Sequence, residues 1–129
     1  MKVSQLDHVA LHVADVAQSC TFYQSVLQLT PIPRPAFDFP GAWFRLGGHQ
    51  ELHLIGDRVT PTSGAASRGN HWALLIDDMD AMEAFLQSID APYTPRRTRP
   101  DGAYQIYVTD PDGHVCELCT APSATTVQT

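Results

Sequence analysis

Basic residues are scarce in this 129-residue chain: eight Lys+Arg stand against fourteen Asp+Glu, a formal net charge of −6. A chain with that balance has no electrostatic footprint for a polyanion, so nucleic acid is excluded as a partner. The one basic cluster, Arg96-Arg97-Thr98-Arg99, is too short for a nucleic-acid face and is read as a solvated patch or a contact for a small anion. Long apolar runs are missing as well. No stretch approaches the roughly 18 unbroken apolar residues that span a bilayer, and MKVSQLDHVALHV runs straight into a strand-like stretch without a cleavable apolar core. No membrane partner is expected, and a cytoplasmic location is. Cysteine is sparse and odd in number, three in all, which argues against a disulfide framework. Cys116 and Cys119 form a C-x-x-C, but within the strand-like run GHVCELCT, where alternation sends them to opposite faces. A redox pair needs a helix N-terminus to lower a thiol pKa, and none is expected there.

What is present is an internal repeat. Residues 7–27, DHVALHVADVAQSCTFYQSVL, align with 70–90, NHWALLIDDMDAMEAFLQSID, at an offset of 63 (71 − 8). Identical pairs are His8/His71, Ala10/Ala73, Leu11/Leu74, Asp15/Asp78, Phe22/Phe85, Gln24/Gln87 and Ser25/Ser88. Two copies make a duplicated domain rather than a solenoid.

Each copy opens with an alternating strand, Leu6–Val13 or His71–Ile76. Asp15 and Asp78 follow as N-caps, because a short carboxylate accepts from the orphan N–H groups of a first helical turn. Helical stripes come next: Val16, Cys20, Tyr23, Val26 and Leu27, then Met79, Met82, Phe85, Leu86 and Ile89, all read as core packing. Ala42–Leu46 and Gln50–Ile55 flank a Gly47-Gly48 turn as a hairpin. Tyr104–Thr109 and His114–Thr120 do the same around Asp110-Pro111-Asp112-Gly113. One more short strand per half is expected near Leu29–Thr30 and Tyr93–Thr94. The pattern is β-α-β-β-β, twice. It reads as a single domain over 1–129: module 1 about 5–55, a linker at 56–69, module 2 about 70–120 and a polar tail at 121–129.

Histidine carries the chemistry. His8 and His71 hold the same position in the two first strands, and the last strands carry His53, 45 residues after His8, and Glu117, 46 after His71. Alternation puts Val9, Leu11 and Val13 opposite His8, and Trp72, Leu74 and Ile76 opposite His71. It likewise puts Leu52 and Leu54 opposite His53, and Cys116 and Leu118 opposite Glu117. Each strand thus has an apolar face for a helix and one ligand-competent group on the other. Imidazole nitrogens with a carboxylate suit a divalent ion: Zn, Ni, Co, Fe or Mn. His12 shares the face of His8, while His49 and His114 flank turns and are expected in solvent. Phe37, Trp43, Arg45 and Tyr104 are candidates for a pocket wall.

The segments LDHVALHVADV, LHLI, NHWALLIDD and YVTDPDGHVCEL together resemble the vicinal oxygen chelate superfamily, the glyoxalase, bleomycin-resistance and extradiol dioxygenase family, over about residues 5–119. The resemblance implies an α+β fold: two tandem βαβββ modules forming a curved, half-barrel-like mixed sheet around a metal cavity. It places the metal ligands on His8, His53, His71 and Glu117, with Glu117 and His53 as candidate catalytic bases. Glyoxalase I has a glutamate at the position of His53, and extradiol and fosfomycin enzymes use only the positions of His8, His71 and Glu117. The implied function is a divalent-metal-dependent lyase, isomerase or dioxygenase acting on a small metabolite whose adjacent oxygens chelate the metal. The alternative is a non-catalytic, bleomycin-resistance-like binding protein; that branch lacks the metal ligands, so four retained ligands favour the enzyme. A homodimer is also implied.

Overall fold

A computed structural model describes residues 1–57 and 69–123 of the chain. Most of the expected linker and of the polar tail lie outside the described residues. The chain divides into two compact units, Met1–Thr62 and Ser63–Thr129.

The first unit runs β1 (His8–His12), α1 (Val16–Ser25), β2 (Thr30–Ile32), β3 (Gly41–Leu46) and β4 (Gln50–Ile55), in sheet order β1-β4-β3-β2. β1 and β4 are parallel, which requires a long crossover, and α1 with the β2–β3 hairpin supplies it. The other pairs are antiparallel. Pro31 lacks an N–H to donate, and β2 accordingly lies at the sheet edge. The core gathers Val13, Tyr23, Leu27, Phe44, Leu46, Leu52 and Leu54, all 7% exposed or less.

The second unit repeats the plan: β5 (Trp72–Leu75), α2 (Met79–Ser88), β6 (Arg97–Thr98), β7 (Tyr104–Thr109) and β8 (Val115–Cys119), in order β5-β8-β7-β6. β5 and β8 are parallel and the rest antiparallel. Met79, Leu86, Ile106, Val108, Val115, Cys116 and Leu118 fill its core. The fold is therefore α+β with two four-stranded mixed sheets, the βαβββ pattern twice over.

Both helices start on the expected caps. Asp15 Oδ1 accepts from the Gln18 N–H and Asp78 Oδ1 from the Ala81 N–H, each at 3.0 Å. Both helices stop at a residue forced to positive φ, Gln28 (57°) and Asp90 (55°), which frees the next N–H to reach back: Leu29 to Tyr23 O and Ala91 to Leu86 O. In the β7–β8 turn, Asp110 Oδ1 accepts from the N–H groups of Asp112 and His114, while Gly113 takes φ 90°.

Three details differ from the sequence reading, the first being that Ile89, read as core packing, is 41% exposed at the C-terminal end of α2. The short strand of the second half lies at Arg97–Thr98, not at Tyr93–Thr94. Thr94 does meet β7, donating its N–H to Tyr107 O and accepting the Tyr107 N–H on its hydroxyl. Pro92 and Pro95 on either side have no N–H, so the ladder cannot extend. His114, expected in solvent, is half-buried because the Asp110 turn folds over its backbone. Among the described residues no helix is long and apolar enough to cross a membrane.

Candidate metal centre

The two parallel strand pairs carry the site candidates in matching register. Ala10 stands opposite His53 in the β1–β4 ladder, and Ala73 opposite Glu117 in the β5–β8 ladder. His53 and Glu117 are thus equivalent by pairing as well as by sequence offset. Each unit brings its own two candidates into contact. In the first unit the His8 and His53 rings stack, centroids 4.2 Å apart and 19° between planes. In the second, His71 Nε2 lies 3.1 Å from Glu117 Oε1.

Every one of the three histidines has one ring nitrogen committed to an oxygen acceptor. His8 Nδ1–H donates to Asp7 Oδ2 at 2.7 Å, and the equivalent His71 Nδ1–H donates to Gly69 O at 2.8 Å. His53 Nε2–H donates to Glu51 Oε1 at 2.9 Å. Such bonds fix the tautomer and leave the other nitrogen as a lone-pair donor, the arrangement by which metal-ligating histidines are held.

His71 shows the consequence most clearly. With its Nδ1 proton spent on Gly69 O, a neutral ring presents the Nε2 lone pair to a carboxylate oxygen 3.1 Å away. Two acceptors face each other, and only a second ring proton or a cation between them resolves the contact. The separation suits a shared ion: donors at about 2.1 Å in adjacent coordination positions lie about 3 Å apart. Glu117 adds to this. Its residue is 5% exposed, and its other oxygen, Oε2, accepts from the amide of Gln105 at 3.1 Å. A carboxylate taken out of water needs compensating charge, and a neutral amide supplies none. The donor set fits a divalent cation. Among the described residues no group of three or more His, Cys, Asp or Glu side chains is arranged to hold an ion.

Around the first pair stands a wall of rings. Trp43, paired with His53 across β3–β4, stacks on it at 3.8 Å and 6°. Phe37 is exposed, stacks on Phe39 at 5.1 Å and lies 6.2 Å from Trp43; the Arg34 guanidinium sits over both phenylalanines. Arg45 is held by Glu51 Oε2 and His49 O, and Tyr104 is exposed beneath the Arg96 guanidinium. His12 is half-buried.

Two of the three arginines of the basic cluster are engaged by carboxylates, while Arg97 is exposed on β6. Arg96 bonds Asp80 at 2.6 Å and Glu83 at 2.5 Å, and Arg99 clasps Asp101 through two bonds, holding that carboxyl below its usual range. Burial pushes the Cys116 and Cys119 thiols up, the opposite of what redox chemistry needs.

Sequence reasoning missed Asp7, Glu51, Gln105 and Arg34. The first three touch His8, His53 and Glu117. Strand parity could have found Glu51, two residues before His53 on the same face.

The fold is an α+β duplication whose parallel strand pairs carry histidine and glutamate, and its family follows from the comparisons. Residues 5–118 match the model of the Glyoxalase/Bleomycin resistance protein/Dioxygenase superfamily, and the chain belongs to that family. It is 29% identical to Glyoxylase I 4 of Arabidopsis thaliana over 95% of this chain and 74% of the relative. It is 29% identical to Metallothiol transferase FosB of Staphylococcus saprophyticus over 92% of this chain and 78% of the relative. The fold matches a lactoylglutathione lyase structure from Agrobacterium tumefaciens with a TM-score of 0.73 at 20% identity, covering 95% of this chain and 97% of that one.

Proposed function

We propose that this protein is a divalent-metal-dependent enzyme, a lyase, isomerase or dioxygenase, whose substrate is a small metabolite with two adjacent oxygens. The reading takes His8, His53, His71 and Glu117 as the metal ligands. The observation that carries it is the contact between His71 Nε2 and Glu117 Oε1, two acceptor atoms 3.1 Å apart with the histidine's proton already engaged elsewhere. The membership of the family and the likeness to a protein named a metallothiol transferase support a metal in this role.

A divalent ion held by these residues would supply Lewis acidity toward the two substrate oxygens. The protein's own groups supply the rest. His8 and His71 donate through Nε2, because Nδ1 is bonded in both. Glu117 is a candidate base: Gln105 fixes Oε2, so Oε1, the oxygen beside His71, would hold the ion or, released from it, take and return a proton. His53, its ring held between Trp43 and His8, is the other candidate base where its ring does not bind the ion. The exposed Phe37 and the ring of Trp43 give the substrate an apolar wall. The reading places the enzyme in the cytoplasm as a homodimer.

The test is to purify the chain without a histidine tag, strip it with chelator and reload it with each of Zn, Ni, Co, Fe and Mn. Cobalt reloading should give ligand-field bands that shift when a compound with adjacent oxygens is added, followed by ion-dependent turnover in a panel of hemithioacetals, epimerisable acyl compounds and catechols. Binding of such compounds by stripped protein, without turnover after reloading, would instead establish a sequestering protein.

A further inference from the structure

The face of β4 that carries His53 also carries Glu51, and the repeat partner of Glu51 in the second unit is an apolar residue. His8 pairs with Glu51 in the β1–β4 register, just as the position of His71 runs ahead to Val115 beside the Ala73–Glu117 pair. An acid was placed here in one module only, beside the one histidine that occupies a glutamate's place.

The surroundings of His53 leave it a single open edge. β4 lies between β1 and β3, so His8 and Trp43 reach the ring from opposite sides and cover both faces, at 4.2 Å and 3.8 Å. Glu51 Oε1 takes the Nε2 proton at 2.9 Å, and Arg45 Nη1 holds the other oxygen of Glu51 at 3.4 Å. The His53 side chain is 14% exposed and that of Glu51 22%, so the bond is shielded from the solvent competition that weakens surface pairs. An ionised carboxylate only accepts, so Nε2 carries a proton, and in the neutral ring the lone pair is then on Nδ1.

We infer that Glu51 is a positioning residue that fixes His53 as its Nε2–H form and presents Nδ1, not Nε2, as the donor atom of the site. His8 and His71 then act through Nε2 and His53 through Nδ1. A histidine reaches less far through Nδ1, the nitrogen nearer the backbone, than through Nε2. The inference rests on the ion-binding reading of the site, but it has an arm that does not.

The experiment uses histidine labelled with ¹⁵N on the ring, in the full chain and in Glu51→Gln, an isosteric change, with circular dichroism to confirm the fold. In the ion-free protein at about pH 8.5, above the ordinary imidazole range, His53 (assigned through His53→Gln) should show a proton on Nε2 that exchanges slowly with water. In Glu51→Gln that protection should fall by at least tenfold. On loading with ¹¹³Cd²⁺, scalar coupling should appear at Nδ1 of His53 and at Nε2 of His8 and His71. Glu51→Gln should bind the ion about 10–100-fold more weakly, the ordinary effect of losing the carboxylate behind a ligating histidine. A proton on Nδ1 in the ion-free chain, coupling through Nε2, or unchanged exchange and affinity in Glu51→Gln would overturn the inference. If the wild-type chain takes up no ion while the Nε2 proton behaves as stated, the ion-binding reading fails and the orientation of His53 by Glu51 stands.

Discussion

Replacing Glu117 by Gln keeps the shape of the side chain and removes its charge. In the ion-free protein little should change: Gln105 and His71 both still find a polar partner, and a buried carboxylate compensated only by an amide and an imidazole is no longer required. Unfolding free energy should therefore stay within about 1 kcal/mol of wild type or rise. Ion binding should behave differently. Four-ligand sites for zinc bind with about 10–16 kcal/mol, so one ligand of four contributes about 3 kcal/mol, which is close to a hundredfold in Kd. The carboxylate carries the only negative charge in the proposed set, so the loss should be at least that large. Competition against a chromophoric chelator measures it, alongside urea unfolding of the stripped proteins. A variant that retains wild-type affinity, or one that unfolds several kcal/mol more easily without the ion, would refute the reasoning. In the second case Glu117 would be a structural carboxylate.

Other outcomes follow from the fold. Leu54→Ala empties a side-chain site 1% exposed between β4 and its neighbours and should cost about 2–5 kcal/mol in denaturant unfolding. Asp15→Ala and Asp78→Ala should each cost about 1 kcal/mol, with similar values because the two caps have the same 3.0 Å geometry; strongly unequal values would show that the modules are not energetically alike. Cys116, 2% exposed and with its thiol pushed up by burial, should resist thiol reagents at pH 8 in the folded protein and react in denaturant. The linkage has a definite sign: the neutral thiol's contribution is fully present below the ordinary thiol pKa of about 8.5 and is lost as pH rises above it, so unfolding should become easier in alkali.

The repeat made most of the architecture legible. Two copies with the same strand, cap and stripe predict the same unit twice, and caps such as Asp15 and Asp78 are local devices whose effect needs no tertiary context. The strand faces were equally readable, because a period of two puts Leu52 and Leu54 opposite His53 whatever the strand packs against. The position of β6 was not readable. Tyr93–Thr94 has good strand composition, and only the missing N–H groups of Pro92 and Pro95, set against β7, decide that pairing begins at Arg97. Side-chain partners across strands were hidden for a related reason. Gln105 reaches Glu117 because the β7–β8 register aligns Gln105 with Cys119 and Tyr107 with Glu117, and no single strand's pattern contains that register. The engagement of Arg96 was hidden in the sequence, since its partners Asp80 and Glu83 are more than ten residues away along the chain.

The central claim is that His8, His53, His71 and Glu117 hold a divalent ion. Elemental analysis by inductively coupled plasma mass spectrometry, on untagged protein reloaded and freed of excess metal by gel filtration, tests it most directly. The account predicts one ion per chain in the wild type and a clear loss of occupancy in His8→Ala and His71→Ala, both still folded. A wild-type chain that emerges without stoichiometric metal, or alanine variants that keep full occupancy, would contradict it.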